Sequence, residues 1–400
     1  MRKIFYFNSA LSYNKINDIL KSSPVIYWLC NIKFVPGLLM KLPTWQYIDR
    51  NNEIILLEHH TVVEDGIPDN ILNRDITIES TRFIEADLVH YPSGGCAFIL
   101  SWNHILLDAK GTTLLFEHLN LLSENKPQSF DIFFPGKEKK TNIVTYIRNM
   151  YKVKKFVQTS SKPPVSSVAC TSLKTGDGKT LTKVISFNVE ETKKINANAF
   201  KTGSRFGPTL YLVACCTHVI NFLNHQKNKA GDIWLPIPYD GRLRGAAGPL
   251  ISNCVSFLFY RIPVNEMNTI PQTVKCLSTQ MTAQIKDGIP QRYSMFLNMM
   301  RHMPLWLYYF LISRTGKGVF ASFLYTSTGD NFNNLKSLFG EPIRNLNMIP
   351  ALTFPPGLTF VFLKHDNELN INIAYSPDVI NNNELHLIEE KIKEILLADY

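Results

Sequence analysis

From end to end the chain alternates short apolar runs with longer segments whose apolar residues recur at helical spacing. Glu53–Leu57 and Cys96–Trp102 are compact apolar runs bounded by polar residues, the pattern of a strand. Thr112–Leu122 carries Leu114, Leu115, Leu119 and Leu122 on one side, which predicts a helix. Thr145–Val157 predicts a second, basic helix. Composition then changes. Paired prolines and serines between Thr159 and Ser167, followed by Gly-Asp-Gly at 176–178, interrupt any regular element and read as a linker or crossover.

The pattern resumes with a strand at Leu181–Phe187 and a helix from Val189, with Asn188 as its N-cap and Glu190 and Glu191 in its first turn. Pro208 opens a helix running to about His225, whose almost unbroken apolar character predicts deep burial. Further strands are expected at Ile233–Ile237, Cys254–Ile262, Phe320–Thr326, Leu358–Leu363 and Leu369–Tyr375. Helices are expected at Pro271–Lys286 and Asn383–Leu397, the latter with Leu385, Ile388, Ile392 and Ile395 on one face. Alternating strands and helices in both halves predict an α/β protein of two lobes. An N-terminal lobe over 1–158, a linker over 159–179 and a C-terminal lobe over 180–400 is the expected division.

Composition sharpens this picture. A 400-residue chain with 45% hydrophobic and 19% charged residues has ample core and is not disordered. Subtracting 33 acidic from 42 basic residues leaves +9, which suits acidic partners such as phosphorylated co-substrates or anionic lipid. The basic residues are dispersed and form no nucleic-acid module, so no nucleic-acid partner is expected. Seven cysteines without a Cys-x-x-Cys pair read as reduced core thiols in a cytoplasmic protein. The first seven residues run into Asn8 and Ser9 too soon for a signal-peptide core, and no apolar run approaches the roughly 18 residues of a membrane span. The aromatic run Met303–Ile312, with the basic charge, leaves peripheral membrane contact as an expectation, beside that of a buried helix.

The candidate chemistry lies just past the Cys96–Trp102 strand, in Asn103-His104-Ile-Leu-Leu-Asp108-Ala109-Lys110-Gly111. A strand end that delivers a histidine into a loop offers a general base, since imidazole titrates near neutral pH. No His/Cys/Asp/Glu cluster has metal-ligand spacing and no glycine-rich phosphate loop is present, so neither metal nor bound cofactor is expected. Lys137, Lys139 and Lys140 read either as a phosphate contact or as a solvated face.

Four separated segments together resemble the chloramphenicol-acetyltransferase-like superfamily of acyltransferases, which includes condensation domains and wax-ester-synthase-like enzymes. They are His104-x-x-x-Asp108, Asp240-Gly-Arg242-Leu-Arg244, Ser252-Asn253-Cys254 and Tyr325-Thr-Ser327-Thr328-Gly329. The resemblance implies two similar lobes forming a pseudodimer around a central channel. In it, His104 would deprotonate a hydroxyl or amine acceptor as that acceptor attacks a thioester. The donor would be acyl-CoA or a phosphopantetheine thioester on an acyl or peptidyl carrier protein. Asp108 would pair with Arg242 and fix the histidine loop. Ser327 or Thr328 would stabilise the oxyanion or form a plain turn, and Asn253 would support the channel. Asn103 stands where double-histidine members have their first histidine, Ala109 where glycine is commonest, and a plant-type Asp-Phe-Gly-Trp-Gly motif is missing. Two alternatives stay open: a stand-alone condensation domain forming an amide or ester from carrier-bound substrates, and a catalytically silent carrier-binding relative.

Glu58-His59-His60 imitates the motif at the wrong spacing, with Asp65 five residues beyond His60. Ile67-Pro68-Asp69-Asn70 also cannot start the expected helix directly. His59 and His60 read as a strand edge.

Overall fold

The computed structural model describes residues 1–35, 44–48, 56–77, 79–126, 142–168, 180–229, 231–242, 251–300, 321–329, 332–333 and 335–400. The run Met303–Ile312, Lys137, Lys139, Lys140, Arg244 and most of the expected linker lie outside them.

In the N-terminal lobe, five strands order as Asn345–Ile349, Arg2–Phe7, Cys96–Trp102, Ile84–His90 and Leu57–Thr61. Cys96–Trp102 is central and buried throughout, as a run with no polar alternation demands. Its register sets Ile99 opposite Ile4 on one side and Asp87 on the other. Helix Ala109–Ser123 covers one sheet face, packing Leu114, Leu115, Phe116 and Leu119 into the same core as Phe5, Phe98 and Trp102.

The C-terminal lobe holds a four-stranded sheet ordered Leu324–Ser327, Leu358–His365, Glu368–Tyr375 and Leu181–Phe187. Asp366 and Asn367, both at positive φ, make the tight turn between its two long strands. Helix Thr209–Gln226 lies in the middle of this lobe's core, which is why its sequence is apolar all round. Asn188 and Glu191 close a capping box on helix Val189–Lys201, as Asn381 and Glu384 do on the terminal helix Asn382–Leu396.

Several elements differ from the sequence expectation for identifiable reasons. The strand expected to end at Ile237 runs Asp232–Asp240, through Pro236 and Pro238. Among the described residues, the ladder on the side away from Val255–Ile262 pairs Val165–Ser166 with just Asp232 and Ile233, so the prolines fall beyond it, where no ladder N–H is needed. The strand expected at 53–57 is Leu57–Thr61, with residues 53–55 outside the described segments. A single helical turn, Asp69–Leu72, does begin after Pro68. Two segments link the expected halves. Val165–Ser166, in the expected linker, joins the sheet of Asp232–Asp240, and Asn345–Ile349 crosses to pair with Arg2–Phe7. Among the described residues no helix is long and apolar enough to cross a membrane.

Candidate active site

The site begins where the central N-terminal strand runs out. Trp102 is fully buried, and its indole N–H donates to the Leu107 carbonyl at 3.0 Å, curling the chain back on itself. Asn103 shapes the same loop: its amide donates to Ile76 O at 2.8 Å and accepts the Ile105 N–H at 3.0 Å. The residue that replaces a histidine in the resemblance therefore has a structural task here.

His104 Nδ1 lies 3.0 Å from that same Leu107 carbonyl. A carbonyl can only accept, so the neutral ring carries its proton on Nδ1 and leaves an electron pair on Nε2. His104 is exposed to solvent while Trp102, Leu106, Leu107 and Asp108 are buried. Its exposure measures only the water that touches it, whereas its proton affinity also reflects the protein mass surrounding it. That lost hydration lowers the imidazole pKa below the ordinary histidine value, against a smaller raising effect of the Leu107 bond. The ring is thus unprotonated at neutral pH.

Asp108 is the N-cap of helix Ala109–Ser123, and its carboxylate accepts four N–H bonds. These come from Gly111 N at 2.6 Å, Cys254 N at 2.8 Å, and Arg242 Nη1 and Nη2, each at 2.9 Å. Arg242 comes from the other lobe, and also donates to Asp240 Oδ1 at 2.9 Å and to Ser252 O at 2.7 Å. Burial works against the guanidinium charge, but the Asp108 bonds outweigh it and the Arg242 pKa rises. Asp108 faces this arginine rather than the imidazole, so it anchors the helix start that follows the histidine loop.

Gly111 shows how closely the lobes meet. A Cβ there would stand 2.4 Å from Ser252 O and 3.2 Å from Arg242 Nη2, so only glycine fits the contact. Asn253 reaches across the same seam, its amide donating to the His104 carbonyl at 2.7 Å. His104 is therefore held from both lobes. The tasks of Gly111 and Asn253 carried no signal in the sequence beyond their nearness to the motif segments, because both depend on contacts between residues some 140 positions or more apart.

Ser327 and Thr328 end a strand that runs parallel to Leu358–His365. Ser327 Oγ accepts the Gly329 N–H at 3.1 Å, and Thr328 is buried with its hydroxyl toward Phe362 O at 3.4 Å. Both close a turn. Thr328 spends its hydroxyl proton on Phe362 O, and Ser327 also has a side-chain hydrogen bond with the buried Tyr325.

His59 and His60 lie on the outermost strand of the N-terminal sheet. His60 is tied to the wholly buried Asp87 at 2.9 Å, and His59 to His90 at 2.9 Å. Glu58, His60 and Asp87 sit close enough to hold a metal ion, a cluster the sequence spacing did not reveal. Arg74, at 3.0 Å from Asp87, 2.8 Å from Glu85 and 3.5 Å from Glu58, already supplies a cation there.

No family model matches the chain, and comparison with curated proteins finds no match. Solved structures do match over its whole length. The first condensation domain of the calcium-dependent antibiotic synthetase aligns with TM-score 0.68 at 15% identity, covering 99% of this chain and 89% of that one. A trichothecene 15-O-acetyltransferase from Fusarium sporotrichioides aligns with TM-score 0.71 at 13% identity, covering 99% and 90%. Polyketide synthase associated protein 5 from Mycobacterium tuberculosis aligns with TM-score 0.66 at 13% identity, covering 100% and 94%. The chain has the two-lobed chloramphenicol-acetyltransferase-like α/β fold that these structures share.

Proposed function

We propose that the chain is an acyltransferase that moves an acyl group from a thioester to a hydroxyl or amine, with His104 as general base. The observation that supports it most is the His104 ring: neutral, tautomer fixed by Leu107 O, reached by solvent and held from both lobes. Nε2 would take the acceptor's proton as its oxygen or nitrogen attacks the thioester carbonyl. Collapse of the tetrahedral intermediate breaks the C–S bond, and the imidazolium returns the proton to the leaving thiolate. Ser327, the more accessible of the two, is the better candidate for the oxyanion than the buried Thr328. Asp108 and Arg242 position the loop and touch no reacting atom.

The donor is acyl-CoA or a phosphopantetheine thioester on a carrier protein. A condensation domain and an acetyltransferase among its structural neighbours support acyl transfer or condensation, and the choice between these two donors falls to the assay. The test is thiol release from a panel of acyl-CoA thioesters and acyl-carrier proteins with mixed alcohols and amines, comparing wild type with His104→Ala and His60→Ala. Acceptor-dependent release lost only in His104→Ala is expected. Release from carrier-bound donors alone would select the condensation reading. Carrier binding without any turnover would overturn catalysis in favour of a silent binding relative.

A further inference from the structure

Helix Ile143–Ser160 is fastened to the C-terminal lobe along one face. Val153 is fully buried beside Trp234 and Phe259, and Tyr146 donates its hydroxyl to Met295 O at 2.8 Å. Its opposite face carries an unusual load. Val144, Ile147 and Tyr151 are 69%, 56% and 66% exposed and follow one another at spacings of three and four, so they form a single line along the helix. Arg148, Lys152 and Lys155 flank that line on one side and Lys154 on the other, all exposed. From Asn142 to Val168 the chain has five Lys and Arg residues and no Asp or Glu. Among the described residues, none of the four helix cations has a carboxylate partner.

We propose that this face docks onto an anionic lipid surface, with Val144, Ile147 and Tyr151 entering the headgroup layer and the cations meeting lipid phosphates and carboxylates. An apolar line bordered by long cationic side chains is the layout of an interfacial helix, whose lysines and arginines extend outward to the charged plane. An acidic protein is the poorer occupant. Three apolar side chains over about 10 Å of helix supply a small part of the roughly 800 Å² per partner that a stable protein interface buries. A bilayer needs no matching groove and adds attraction with each cation near its surface.

The experiment is co-sedimentation of the full chain with vesicles of phosphatidylcholine alone or mixed with phosphatidylserine. Pelleting is expected only with phosphatidylserine and should weaken as salt rises. The combined Arg148→Gln, Lys152→Gln and Lys155→Gln variant should bind on the order of a hundredfold more weakly, with an unchanged thermal melt showing that it folds. Ile147→Asn with Tyr151→Asn should weaken binding at every salt concentration. Absence of pelleting, equal pelleting without phosphatidylserine, or wild-type binding by the charge variant would each overturn the proposal.

Discussion

Gly111→Ala tests the lobe seam through the sign of its effect. Gly111 lies in the first turn of a helix, where alanine gains up to about 1 kcal/mol of helix propensity over glycine, so local reasoning predicts a more stable protein. The tertiary contact predicts the opposite. The new methyl would sit 2.4 Å from Ser252 O, whereas ordinary contact begins at 3.4 Å, so the helix start must retreat by about 1 Å. A retreat of that size stretches the 2.9 Å Asp108–Arg242 bonds and the 2.8 Å Cys254 bond toward breaking. Hydrogen bonds to charged groups contribute about 1.5–3 kcal/mol each. Loss of two costs about 3–6 kcal/mol against a gain of up to about 1, which leaves a net destabilisation of about 2–5 kcal/mol. Urea denaturation followed by tryptophan fluorescence and far-UV circular dichroism reads this directly, as a lower midpoint with little change in slope. Turnover should fall as well, since the histidine loop is anchored through the same helix start. A midpoint raised by the propensity gain, with activity intact, would refute the argument that the lobes meet this closely.

Other perturbations separate the roles of neighbouring residues. Arg242→Met strands a carboxylate whose side chain is only 9% exposed, and should cost about 3 kcal/mol by denaturant titration, with Asp108→Asn milder because it leaves no bare anion. Asn253→Ala removes one bond to the His104 carbonyl and should lower kcat about tenfold, the equivalent of 1–1.5 kcal/mol, with KM little changed; a pure KM effect would argue for an acceptor-binding role instead. Because the His104 pKa is lowered, turnover should rise with pH with a midpoint below about 6.5, so a rate midpoint above 7 would exclude His104 as the base. The same shift has a stability sign: the unfolded chain binds this proton more tightly, so His104 weakens the fold as pH falls through about 6.5. His60→Ala should leave turnover unchanged and cost about 1–2 kcal/mol, since buried Asp87 loses one of its partners.

How much of this was legible in the sequence follows from the range of each interaction. The strand Leu181–Phe187, the cap at Asn188 and the buried helix after Pro208 could be read from neighbouring residues, since period, cap and apolar content act within a few positions. The helix after the motif was expected at Thr112 and begins at Ala109, because Asp108 caps it while also serving Arg242. The Asp108–Arg242 pairing itself was expected only through the family resemblance; nothing in local pattern joins residues 134 positions apart.

By itself, then, the sequence determined the two-lobed α/β alternation, the placement of His104 at a strand end and the segments likened to known acyltransferases. Tertiary structure alone decided that Asn345–Ile349 returns to the first lobe, that Gly111 must lack a side chain and that Asn253 holds the His104 carbonyl. It also decided which imidazole nitrogen keeps its proton, through Leu107 O. The physical reason is common to all of them. Hydrophobic periodicity and capping are short-range and repeat along the chain, whereas a close approach or a single hydrogen bond between distant segments has no periodic signature and exists only once both lobes have packed.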